Sequence, residues 1–215
     1  MKRIGLPLLL LLAFAAGLSA QSHTIFIFKD FTEAKVYFKN RSITIAPMNY
    51  DGAKGRMYFM QNDELMELTH IQMIDSIVWE GERKFITHGA SFLDEVRLEN
   101  GTLYIHWRLK DVNIGSRGAL GATTQARVET ISLKSMGIHS VDKEVNYTEI
   151  YERKNDNDYY LLLNGKLQRF KNSKQLSKLL PELKDNIETF AKEEKIDTKQ
   201  TPDMIRLVNY TLSLN

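Results

Sequence analysis

The chain has 215 residues, 29 Lys+Arg against 27 Asp+Glu, and no cysteine. The lack of cysteine excludes a disulfide framework, a thiol nucleophile and a thiolate metal site. The formal net charge is +2 with both signs interspersed, which argues against nucleic acid as a partner, since that needs a clustered basic excess.

Lys2 and Arg3 open the chain, an apolar run follows, and Ala15, Ala16, Gly17, Ser19 and Ala20 close that run. This order predicts a secretory signal peptide over residues 1–20, cleaved at or near Ala20. The run is shorter than the ~20 residues of a comfortable membrane span. Position 21 is Gln, so the cysteine of a lipoprotein anchor is missing. A soluble, exported chain is expected, in the periplasm or outside the cell, with no membrane span after the signal is removed. Lys2 and Arg3 would leave with the signal and no acid would follow, so the remainder is formally neutral.

Residues 21–170 read as an antiparallel β domain. Turn residues recur about every ten positions between alternating apolar and polar runs. Asn100-Gly101 suits a two-residue type I′ loop, because both residues tolerate positive φ. That placement puts Leu98 opposite Leu103, Val96 opposite Ile105 and Glu95 opposite His106. Asn164-Gly165 predicts a second hairpin, with Leu162 opposite Leu167 and Tyr160 opposite Arg169. Asn62-Asp63 predicts a third, and VYFKN with RSITIAP flank another turn.

Residues 171–215 form a C-terminal helical segment. Leu176, Leu179, Leu180, Leu183, Ile187 and Phe190 recur at helical spacing, with Pro181 at a first turn. An entry turn over 173–180 and a body to about Glu194 are expected. A second helix starts near Thr201, as cap, and Pro202. The fold class is therefore α+β, mainly an antiparallel β meander or roll followed by two C-terminal helices.

The stretch GSRGALGATTQA, residues 115–126, raises the question of a phosphate loop. A dinucleotide fingerprint or P-loop needs a helix after the glycines. Here RVETISL follows, which alternates as a strand does, and Gly-Lys-Ser/Thr is absent. We read a long connection between strands whose Arg117, Thr123, Thr124 and Gln125 would meet a ligand or partner. His23, His70, His88, His106 and His139 make no metal-binding pair at helical spacing. His106 opposite Glu95 reads as a cross-strand pair at the surface. Ser91 in HGASFLD lacks the second glycine of a nucleophile elbow. KNDNDYYLLLNG lacks the Gly and Glu of a calcium loop and reads as a polar turn. No catalytic residue, metal ligand or cofactor site is assigned.

The tail carries Phe170, Lys171, Asn172, Leu180, Pro181, Ile187, Lys192, Ile196, Asp203, Leu207 and Tyr210 in an order that resembles uncharacterised exported proteins common in Bacteroidetes. GALGATTQA resembles a glycine-rich piece of the same family. The resemblance implies an envelope location and an α+β architecture, and no activity. The expected role is a non-enzymatic module that binds a small ligand or another envelope protein. The alternative is an envelope glycan hydrolase using paired carboxylates, Asp94 with Glu95 or Asp51 with Asp63. Adjacent strand residues point to opposite faces, which counts against the first pair.

Overall fold

A computed structural model describes residues 24–81, 83–117, 123–124 and 148–214. The expected signal peptide and the expected strand over 127–133 lie outside these residues. The strands in chain order are β1 (Thr32–Phe38), β2 (Ile43–Asp51), β3 (Arg56–Gln61), β4 (Glu64–Glu67), β5 (Ile74–Trp79), β6 (Lys84–His88), β7 (Ser91–Leu98), β8 (Gly101–His106), β9 (Leu109–Arg117), β10 (Thr123–Thr124), β11 (Thr148–Asn155), β12 (Asp158–Leu163) and β13 (Lys166–Phe170). The helices are α1 (Ser173–Leu179), α2 (Lys184–Glu193) and α3 (Thr201–Leu212). The described residues divide into two compact units: one runs up to Leu109 and resumes at Asn155, the other is Lys110–Lys154.

The larger unit is an open ten-stranded antiparallel sheet in the order β13-β12-β8-β7-β6-β5-β1-β2-β3-β4. The α+β meander expected from the alternation is present. In the smaller unit β9 lies between β10 and β11.

Residues directly opposed in an antiparallel pair share a face. Pairing therefore runs one row across the larger sheet: Val36, Ile77, Phe85, Asp94, Ile105, Tyr159 and Phe170. All of them are buried, and Asp94 is the sole charged member. Two cores cover this face. Met48, Tyr50, Met57 and Phe59 from β2 and β3 join Ile77, Trp79, Phe85 and Phe92 in the first. In the second, Leu176, Ile187, Met204, Leu207 and Val208 of the helices pack on Leu103, Ile105, Tyr159, Leu161 and Phe170. Trp107 packs against both.

Asp94 is tolerated in this row because its carboxylate is fully engaged. Arg83 donates from Nη2 to Oδ2 at 2.7 Å and from Nε to Oδ1 at 3.3 Å, and Trp107 Nε1 donates to Oδ2 at 2.9 Å. The guanidinium also lies 4.6 Å from the Phe28 ring centre, within the range of a cation–π contact.

The turns at Asn62-Asp63 and Asn164-Gly165 form as the sequence predicts, each with two residues at positive φ. Leu162 faces Leu167 and Tyr160 faces Arg169. The β7–β8 hairpin differs. Leu98 pairs with Gly101 and Val96 with Leu103, so the loop residues are Glu99 and Asn100. Gly101 is not at positive φ. Its side chain is missing for another reason: a Cβ there would stand 3.0 Å from Leu212 Cδ1 of α3. The entry turn is a helix of its own, capped by Asn172, whose side chain accepts from Gln175 N. Pro181 starts a short 3-10 turn into α2, so the tail holds three helices where two were expected. Thr201 is not the cap of α3; Gln200 is. Its hydroxyl is instead held by Asn155 Nδ2 at 2.8 Å and Asn157 Nδ2 at 3.1 Å, which ties α3 to the β11–β12 turn.

Two outcomes follow. Gly101→Val should destabilise by about 1–3 kcal/mol through overpacking, and Leu212→Ala in the same chain should recover part of the loss; equal denaturant midpoints with and without Leu212→Ala would refute the contact. Arg83→Ala should cost near the low end of the ~3–5 kcal/mol for breaking a buried ion pair, low because Arg83 is 37% exposed while Asp94 is 3% exposed. Asp94→Asn in the Arg83→Ala background should restore stability, measured by denaturant titration.

Candidate functional site

The pairing of β8 with β12 sets His106 directly opposite Asp158. This corrects the expected partner of His106: Glu95 faces Tyr104 instead and pairs with Lys84 Nζ at 2.9 Å. Asp158 is 4% exposed and collects cations. Arg169 Nη2 donates to Oδ1 at 2.7 Å and Arg108 Nη1 to Oδ2 at 3.4 Å. Lys171 Nζ is 3.6 Å from Oδ1 and also binds Asp156 Oδ1 at 2.9 Å. The hydrogen bond to Asp158 holds Arg169 more firmly protonated than usual. Arg108 and Arg169 nonetheless stay 48% and 52% exposed.

Rings adjoin this charge cluster. Tyr160 follows Asp158 by two positions and so shares its face. It lies 5.2 Å from the His88 ring, edge to face. Burial and the Asp158 charge raise its phenol above the ordinary value. Five stretches of chain thus contribute: His88 ends β6, His106 ends β8, Arg108 follows β8, Asp158 and Tyr160 begin β12, and Arg169 with Lys171 lie at the end of β13.

Ser91, His106 and Asp158 raise the question of a nucleophilic triad. Ser91 Oγ is 3.0 Å from His106 Nε2. The same hydroxyl lies 3.1 Å from the Gly55 carbonyl, which can only accept, so both hydrogen bonds form together in the tautomer where Ser91 donates to Gly55 and His106 donates from Nε2. Nδ1 is then unprotonated and 3.9 Å from Asp158 Oδ2, too far for a hydrogen bond. A triad needs the opposite proton placement: serine donating to Nε2, and Nδ1–H donating to the carboxylate. A Cβ on Gly55, at φ +70°, would lie 3.2 Å from Ser91 Oγ and 3.3 Å from His106 Nε2. Ser91 and His106 therefore anchor the β2–β3 turn. Desolvation lowers the His106 pKa below 6.5, and the Asp158 charge opposes that shift.

The residues singled out from the sequence lie elsewhere. Arg117 ends β9 and pairs with Thr123, and Thr124 pairs with Ser116. The described part of the glycine stretch is thus a strand returning on a strand. Gln125, His23 and His139 lie outside the described residues. The carboxylate pairs do not assemble. Asp94 is held by Arg83, and Glu95 sits on the opposite face. Asp51 and Asp63 stand beyond opposite ends of β3, and Asp51 Oδ1 accepts from the amides of Ile25, Ala53 and Lys54. No group of three His, Asp or Glu side chains suited to a metal occurs among the described residues. No described helix is long and apolar enough to cross a membrane.

Because the His106 pKa is lower in the folded chain than its unfolded value of 6.5, its contribution to stability is complete above about 6.5 and is lost as pH falls through the folded value. Denaturant midpoints measured from pH 8 to pH 5 should fall on the acid side. His106→Gln, which keeps a donor near Ser91, should flatten that limb, and identical acid limbs would contradict the assignment.

Compared with protein-family models, curated proteins and solved structures, the chain matches none of them.

Proposed function

We propose that this chain is an exported, non-enzymatic binding protein of the bacterial envelope that holds an anionic ligand against Arg108, Arg169 and Lys171. One observation carries the reading. Three cationic side chains converge on the buried carboxylate of Asp158. Each guanidinium has five N–H donors, and the contacts to Asp158 engage one on each arginine. The remaining donors sit on half-exposed groups in the fork geometry that matches an oxyanion. The buried carboxylate of Asp158 fixes the two forks in place and so reduces the ordering cost that a free arginine would bear on binding.

Export is supported by the basic–apolar–small order of the first twenty residues and by the resemblance of the tail to exported Bacteroidetes proteins. The absence of cysteine is consistent with it.

Titration of the ¹⁵N-labelled protein with sodium acetate and sodium sulfate tests the site. Amide shifts should cluster at Arg108, Asp158 and Arg169. Arg108→Ala should weaken binding about tenfold, in line with the ~1.5–3 kcal/mol of a charge-assisted hydrogen bond. Shifts that are absent, or unchanged in Arg108→Ala, would refute the reading.

A further inference from the structure

We infer that a second small-molecule site lies on the face of β1, β2 and β5 turned away from the core, and that its ligand is a small primary amine, one ammonium group on an apolar chain. The inference is independent of the anion site at Arg108 and Arg169.

A cavity of about 340 Å³ opens on this face, lined by Glu33, Lys35, Tyr37, Ile45, Val78 and Glu80. Ala34 and Val36 are buried in the core, so alternation turns Glu33, Lys35 and Tyr37 to the other side of β1. Lys35 pairs with Ile45 on one side and with Val78 on the other, and these three cross the middle of the cavity. The volume falls at the low end of the ~300–1,000 Å³ of small-molecule sites. It suits a small ligand.

The two ends of the cavity differ in polarity. Ala34 pairs with Trp79. Glu33 precedes the first and Glu80 follows the second, so two carboxylates stand at one end. Tyr37 stands at the other, about 13 Å away along β1 at ~3.2–3.4 Å per residue. Its partner Ile43 is 54% exposed and Ile45 is 56% exposed. An apolar strip therefore runs from the acids toward Tyr37.

The charge of the ligand follows from the same residues. Among the described residues, Glu33, Glu80 and Lys35 make no ion pair within 4.0 Å. Lys84 lies opposite Val78, but its ammonium is held by Glu95 at 2.9 Å. Like charges set across a strand pair repel, and an ammonium between the two carboxylates relieves that repulsion. A second ammonium further along the ligand would meet Lys35, which limits the ligand to one positive charge.

The test uses probes that separate charge from chain: butylamine, hexylamine and octylamine (one cation, growing chain), hexanol and hexanoate (chain without the cation), 1,6-diaminohexane (two cations), and Nα-acetyl-lysine methylamide (the same ammonium on a peptide unit). Binding is read at pH 7.5 by amide shifts of the ¹⁵N-labelled protein at Lys35, Ile45 and Val78. Affinity should rise about twofold per methylene from butylamine to octylamine, half in free energy of the full-burial effect, because the cavity is open. Hexylamine should bind about fivefold tighter than hexanol, and hexanoate more weakly still. Glu33→Gln and Glu80→Gln should each weaken hexylamine by up to about fivefold. Lys35→Met should tighten it. Tyr37→Ala should weaken octylamine and leave butylamine unchanged. Equal affinity for hexylamine and hexanol, or weaker binding in Lys35→Met, would overturn the charge assignment. Tighter binding of 1,6-diaminohexane than of hexylamine would overturn the single charge. Tighter binding of the lysine derivative than of butylamine would replace the free amine by a peptide side chain. The absence of saturable shifts with every amine would overturn the site.

Discussion

A sheet of ten strands has one long face to keep dry, and the described helices pack only on β8, β12 and β13 at one end of it. The row Val36, Ile77, Phe85, Asp94, Ile105, Tyr159, Phe170 crosses seven of those strands, and every member is buried. Two covers divide the task. At one end β2 and β3 pack over β5, β6 and β7, with Tyr50 tilted against Phe85 at 5.1 Å between ring centres. At the other end the three C-terminal helices lie on β8, β12 and β13. Trp107 joins the two and donates to Asp94, whose partner Arg83 lies over the Phe28, Phe85 and Trp107 rings. Breaking that pair leaves a carboxylate in the dry row, which is why it is costly to remove one partner alone.

The candidate site is a product of the same sheet. β8 pairs with β12, and residues Lys110–Lys154 are excursed between them as a separate unit. That long-range pairing puts His106 opposite Asp158 on the face turned away from the core. β13 then adds Arg169 and the approach to Lys171. The carboxylate of Asp158 is buried among three cations and fixed by them. Its effect is to hold the cations. The Ser91–His106 hydrogen bond acts on the other side, securing the Gly55 turn.

Much of the fold was legible in the chain. Asn62-Asp63 and Asn164-Gly165 fixed their turns because two adjacent positive-φ residues suit few other conformations. Alternation assigned Val96, Leu98, Leu103 and Ile105 to the core face correctly. It did not fix their pairing. Moving the loop from Asn100-Gly101 to Glu99-Asn100 shifts the opposed pairs while every residue keeps its face, so the hydrophobic pattern is blind to the difference. Helix α3 bears on it, because a Cβ at position 101 would crowd the Leu212 methyl at 3.0 Å. Thr201 is a similar case: the residue type suits a cap, but Asn155 and Asn157 compete for its hydroxyl.

What the sequence by itself determined is local: which residues alternate, where turns need positive φ, and where helical spacing begins after Phe170. What only the tertiary structure decided is non-local. His88, His106, Arg108, Asp158, Tyr160 and Arg169 span more than eighty positions, and no spacing rule links them. They meet because a strand pairs with another about fifty residues later, and strand pairing over that distance is selected by the burial of whole faces rather than by any motif.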